Sequence, residues 1–256
     1  MYNNIFDSHA HYTDKAFNDD RTELLGSLKE SGISGIINCG ADLESSKEAA
    51  ALSDRYDFLY FACGIHPEEV DILPTDYLNT LRALSDNKKC VAIGEIGLDY
   101  YWRQDNKELQ KKIFIEQIIL AEELQLPIIV HSRDAHEDTL AILKEYKPQG
   151  VLHCFSGSVE TAKEILKLGM YIGLGGAVTF KNAKKPVEVA EFLPLDRLLL
   201  ETDCPYMAPV PMRGKRNNSS YIPFVAEKIA EIKNIDAQTV LNISAENTKK
   251  LFNILL

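Results

Sequence analysis

Apolar residues in this chain follow two patterns that take turns. Short continuous runs, closed by glycine or a polar residue, alternate with longer stretches in which apolar positions recur at helical spacing. The runs cover residues 5–12, 36–40, 59–65, 91–95, 128–131, 150–153, 170–174 and 197–203. The stretches between them, 21–31, 43–55, 75–85, 106–125, 135–146, 159–168 and 185–192, read as helices, and another begins at Pro223. In the longest of these, Leu109, Ile113, Leu120 and Leu124 make one stripe. Continuous apolar runs mark parallel strands buried on both faces. Alternating β and α elements imply a parallel sheet. Eight such units predict a single (β/α)8 barrel of the TIM type spanning 1–256. An open, doubly wound sheet is the alternative, and a GxGxxG turn after the first strand would favour it; the sequence has none there. Asp236 and Ser244 read as caps of two short closing helices outside the barrel.

An apolar content of 45% is enough for a sizeable core, and no apolar run is long enough to span a membrane. Without a charged-then-apolar leader pattern, the expected location is the cytoplasm. The five cysteines are scattered, with no CxxC pair, which fits reduced thiols rather than a disulfide framework. The net charge of −10 works against a polyanionic partner in bulk, so a nucleic-acid role needs local basic groups or bound cations.

Chemistry enters through position. On the first strand Asp7, His9 and His11 fall on one face, because side chains alternate along a strand. Two imidazoles spaced this way can grip one metal ion; the plainer reading is a pair of hydrogen-bonded core histidines. The remaining runs decide between them. His9, His11, Glu95, His131, His153 and Asp203 all stand at the C-terminal ends of predicted strands, which converge on one mouth in such a barrel. Buried ionisable groups are costly unless paired or metal-bound. Four histidines and two carboxylates exceed the needs of one tetrahedral ion and suit two divalent ions, with Glu95 placed to bridge them. Such a pair acidifies a shared water, and Asp203 is the natural proton acceptor beside it. Asp7 and Glu201 read equally as outer support for the ligands or as structural carboxylates.

The stretches FDSHAHY, GIHP, AIGEIGLDYY, PIIVHSRDA, HCFSG, GGAVTFKNA, LLLETDCPY and RGKRN, in this order, resemble the TatD-type deoxyribonuclease family of the amidohydrolase superfamily. The resemblance runs from Phe6 to Phe252. It implies a metal-dependent hydrolase that cleaves phosphodiester bonds of DNA, with RNA as a further candidate. It implies His9, His11, Glu95 and Asp203 around one ion and Glu95, His131 and His153 around the other. Many superfamily members carry a carbamylated lysine on the fourth strand; Glu95 stands there instead, as in the TatD-type branch. After RGKRN the family pattern has an acidic residue and then proline, whereas this chain has Asn218 and Ser219, which puts the loop conformation in question.

Around this set, His66 reads as a donor to a phosphate or leaving oxygen. Lys181, Lys184, Lys185, Arg213, Lys215 and Arg216 follow the last two strands, where barrels commonly hold phosphate. Tyr100, Tyr101 and Trp102 are candidates for stacking on bases or for packing on the rim. Arg133 and Asp134 read equally as an ion pair or as substrate contacts, and His136 as a solvated helix residue. The ions expected are magnesium, manganese or zinc, and the partner is DNA or RNA, single-stranded or at its ends, with no membrane and no obligate protein partner. An ester or amide hydrolase, such as an aminoacyl-RNA deacylase, would use the same site, and a catalytically silent nucleic-acid-binding barrel is the reading outside enzymes.

Overall fold

The computed structural model describes residues 2–254. Eight strands lie side by side in sequence order, every adjacent pair parallel: β1 (Ile5–Ala10), β2 (Ile33–Cys39), β3 (Leu59–Cys63), β4 (Cys90–Asp99), β5 (Ile128–Arg133), β6 (Gly150–Leu152), β7 (Tyr171–Leu174) and β8 (Leu198–Leu200). Between and after them come α1 (Arg21–Leu28), α2 (Leu43–Ser53), α3 (Tyr77–Ser85), α4 (Lys107–Leu124), α5 (His136–Tyr146), α6 (Val159–Lys167), α7 (Lys184–Phe192), α8 (Ile222–Lys233) and α9 (Ala237–Leu251). Just past its end β8 returns to β1. Asp203 N–H donates to the His9 carbonyl at 3.0 Å, and His11 N–H donates to the Cys204 carbonyl at 2.8 Å. The result is the (β/α)8 barrel expected from the alternation.

Local chemistry sets the element ends. Asp42 and Ser45 form a reciprocal capping box at the start of α2. The turn after α1 stops at Gly32, whose φ of 85° suits glycine. Every strand contributes to a single buried cluster filling the inside of the ring: Phe6, Ile37 with Cys39, Ala62, Val91 with Ala92, Ile129, Val151, Tyr171 and Leu199. Ala245, Phe252 and Ile254, from α9 and the residues after it, belong to the same cluster.

The expected pair of closing helices is one helix. Asp236 does cap it, accepting from Thr239 N–H at 3.0 Å, but Ser244 lies in its interior. The Ser244 hydroxyl is turned inward and accepts from Leu200 N–H at 2.7 Å, satisfying a strand donor rather than starting a helix. Asn247 adds two bonds from the same helix, to the Leu195 and Leu198 carbonyls at 2.7 and 2.9 Å.

Strand β4 outruns its expected end. It continues from Glu95 to Asp99, pairing Ile96 with Val130 and Gly97 with His131. A Cβ on Gly97, whose φ is 146°, would lie 2.0 Å from the His131 carbonyl oxygen, so only glycine lets the two strands close here.

Candidate metal centre

His9 and His131 near the ends of β1 and β5, Glu95 in the middle of β4, and His153 and Asp203 just past β6 and β8 meet in one cluster, and His11 joins it one residue past β1. Glu95 is the hub, nearly fully buried. Its Oε2 lies 3.2 Å from His9 Nε2 and 3.3 Å from His11 Nε2. Its Oε1 lies 2.6 Å from His153 Nε2 and 2.8 Å from His131 Nδ1. Asp203 Oδ1 approaches the first pair, at 3.5 Å from His11 Nε2 and 3.7 Å from His9 Nε2. Each carboxylate oxygen of Glu95 thus serves a different pair of imidazoles.

The far nitrogens fix which ring atoms turn toward the cluster. His11 Nδ1 is 3.0 Å from the Cys39 carbonyl and His131 Nε2 is 3.0 Å from Asp99 Oδ2, so both carry hydrogen there. The other nitrogen of His11 faces His9 Nε2 at 2.9 Å, and that of His131 faces a carboxylate oxygen and His153 Nε2 at 3.3 Å. With the far nitrogen protonated, a neutral ring offers a lone pair to the cluster, and divalent cations among these lone pairs and carboxylate oxygens would satisfy them together. The donor set therefore fits divalent metal. Protons alone spread unevenly over it. Burial pulls His11 down, yet the Asp203 and Glu95 carboxylates drive it up to about 10. Burial and the neighbouring imidazoles push His66 down to about 3.

A cavity of about 660 Å³ opens above the cluster, with His11, Glu95, His131, His153 and Asp203 in its wall. His66 lies in that wall too. Its Nε2 is 3.6 Å from Glu95 Oε1, and with Glu95 and His131 it forms a third converging donor group.

Other expected contacts fall elsewhere. Tyr100 is buried, its hydroxyl donating to Asp138 at 2.7 Å and its ring under Lys107. Lys181 lines a second surface cavity with Lys184 and Lys228. Arg213 covers the Phe180 ring at 3.9 Å, Arg216 is bonded to Asp20, and neither they nor Lys215 line the central cavity. Arg133 makes no ion pair with Asp134; its guanidinium sits 3.9 Å from the Tyr101 ring centre. His136 is half-buried rather than solvated, its Nδ1 3.0 Å from the Ser132 hydroxyl.

Asp99 was outside the sequence reading. Alternation along β4 puts Glu95, Gly97 and Asp99 on one face, and the DYY that follows Leu98 was the available signal. Cys39 was missed as well; its Sγ lies 3.4 Å from His9 Nδ1. Two carboxylates stand behind the ligands. Asp7 accepts from Ser219 and Thr202 hydroxyls, each at 2.6 Å, and from Thr202 N–H at 3.0 Å. Burial raises it to about 7 against those donors. Glu201, fully buried, accepts from Cys154 N–H at 2.5 Å and lies 3.6 Å from His153 Nδ1. The Asn218–Ser219 departure is absorbed locally, with Asn218 capping the turn and Ser219 holding Asp7 and Tyr12.

The family model described as "TatD related DNase" matches residues 6–253. The chain belongs to the TatD family. A TatD-family relative from Bacillus subtilis, "Uncharacterized metal-dependent hydrolase YabD", is 45% identical over 98% of this chain and 99% of its own. "3'-5' ssDNA/RNA exonuclease TatD" from Erwinia tasmaniensis is 33% identical, covering 98% of this chain and all of its own. The crystal structure of YjjV, a TatD homologue from Escherichia coli K12, superposes with a TM-score of 0.92 at 33% identity, with full coverage of both chains. As a TatD-family chain with this donor cluster, the protein is a metal-dependent hydrolase. Among the described residues no helix is long and apolar enough to cross a membrane.

Proposed function

We propose that this chain, folded as one domain, cleaves phosphodiester bonds of single-stranded DNA or RNA, working with two divalent cations. The observation that carries this reading is the split of Glu95 between two imidazole pairs, one per carboxylate oxygen. His9, His11, Glu95 and Asp203 would hold one cation, and Glu95, His131 and His153 the other. When bound, the pair supplies Lewis acidity toward phosphoryl oxygens and acidifies water. Asp203, with a side chain 18% exposed to the cavity against 4% for Glu95, takes the proton of the attacking water. His66 donates to the leaving oxygen from the same wall. The exonuclease named among its relatives supports a nucleic-acid substrate. Five free cysteines suit a cytoplasmic setting.

A second reading rests on the carboxylates Asp14, Asp42, Glu68 and Glu69 in the cavity wall, which oppose a polyanion. They would suit an ester or amide substrate of lower charge. Purified protein assayed on labelled single- and double-stranded oligonucleotides and on ester and amide panels, each across magnesium, manganese and zinc, tests both. Cleavage confined to esters or amides would overturn the phosphodiesterase reading.

A further inference from the structure

Trp102 is 58% exposed, yet it lines the same cavity as Glu95 and His131. Its ring meets that of Tyr101 edge-on at 4.8 Å, and more than half of its surface is still left to solvent at the cavity lip. It is also held in place. Asp99 Oδ1 accepts from Tyr101 N–H at 2.9 Å and from Trp102 N–H at 3.1 Å, while its Oδ2 lies 3.0 Å from His131 Nε2. One carboxylate therefore ties the aromatic turn to a candidate ligand, at a set distance from the centre.

Arg133 comes from the strand that carries His131. It has no carboxylate within ion-pair distance among the described residues, and its guanidinium lies 3.9 Å from the Tyr101 ring centre and 5.5 Å from that of Trp102. It is also the only lysine or arginine among the residues lining the cavity, against Asp14, Asp42, Glu68 and Glu69. A phosphate backbone laid along this wall meets mostly carboxylates. A nucleobase is neutral and flat, and it finds an indole face with a guanidinium beside it.

We propose that Trp102 and Arg133 form a stacking subsite for one unpaired nucleobase next to the scissile linkage, so that the mouth takes the end of a single strand. The proposal rests on the phosphodiesterase reading. Stacking of this kind tolerates any base, and a base inside a duplex cannot offer its face without leaving the stack.

Trp102 is the only tryptophan in the chain, so its fluorescence reports the subsite directly. The probe is a short oligothymidylate with neutral methylphosphonate linkages, titrated into the full chain in magnesium. The expected result is saturable quenching by the single strand, with none from an abasic strand of the same linkages or from a blunt hairpin. By polarisation of a labelled probe, Trp102→Ala raises Kd about tenfold to a hundredfold, and Arg133→Gln raises it as well. An absent quench, an equal response to the hairpin, or an unchanged Kd in Trp102→Ala would overturn the subsite. Quenching without cleavage of ordinary oligonucleotides in any divalent ion would count against the phosphodiesterase reading alone; cleavage without quenching would count against the subsite alone.

Discussion

The imidazole rings of His9 and His153 lie face to face, with centroids 3.9 Å apart and planes 14° from parallel. They arrive from the first and sixth strands, and each reaches a different oxygen of Glu95. The carboxylate is thus the one group shared by both halves of the site. Glu95→Gln keeps the shape but removes the charge and replaces one oxygen with a donor. We expect bound divalent ion to fall below two per chain by elemental analysis. Hydrolysis should drop by about a hundredfold or more, since cation stabilisation is worth several kcal/mol. Full metal content in the variant would contradict the bridging role.

Asp203 has a φ of 54°, a conformation that asparagine also accepts. Asp203→Asn therefore changes proton affinity without forcing the backbone. With a positioned base contributing about 10²–10⁴-fold, kcat should fall by that range while KM moves little. Activity within threefold of the parent would remove Asp203 from the proton-transfer role.

Removing the ions should be felt in stability as well as turnover. A chelator is expected to abolish hydrolysis and to lower the melting temperature. Adding back an ion at a hundred times its Kd restores about 2.7 kcal/mol through binding to the folded state alone. Differential scanning calorimetry across magnesium, manganese and zinc checks this, and an unchanged melting temperature with all three would argue that the donor cluster holds no ion.

Asp99 orients the His131 ring through Nε2 and never needs to touch substrate. Asp99→Asn is expected to weaken ion affinity about ten- to a hundredfold, as loss of such supporting bonds does. Raised metal concentration should recover kcat. A loss of kcat that excess metal does not recover would assign Asp99 a different part.

Far from the site, Asn247 ties α9 to β8 through the buried Leu198 carbonyl and to the turn before it through the partly buried Leu195 carbonyl. Asn247→Ala leaves those acceptors unpaired, at a cost of about 1–3 kcal/mol. The melting temperature should fall by about 3–10 °C, with activity at low temperature unchanged.

Most of the architecture could be read from the chain because strands buried on both faces are apolar throughout, and each stops where a polar side chain begins. The same rule located His9 and His131, near the ends of β1 and β5, and His153 and Asp203, just past β6 and β8. It failed where the polar residue was not a stop. Glu95 sits inside β4, so the strand seemed to end early and Asp99 went unseen. Ser244 looked like a helix start, but its hydroxyl serves a neighbouring strand across the interior. Arg133 and the basic residues after β7 and β8 have exposed, adaptable side chains; what each one meets depends on packing between distant loops, which spacing along the chain does not encode.

The ring of strands is closed where β8 meets β1, and that join includes backbone bonds between His9 and Asp203 and between His11 and Cys204. The seam of the barrel and the candidate metal centre are therefore one place. Cations seated there would rivet the seam, so loading the protein should slow amide hydrogen exchange at His11 and Asp203 before it slows exchange anywhere else in the sheet.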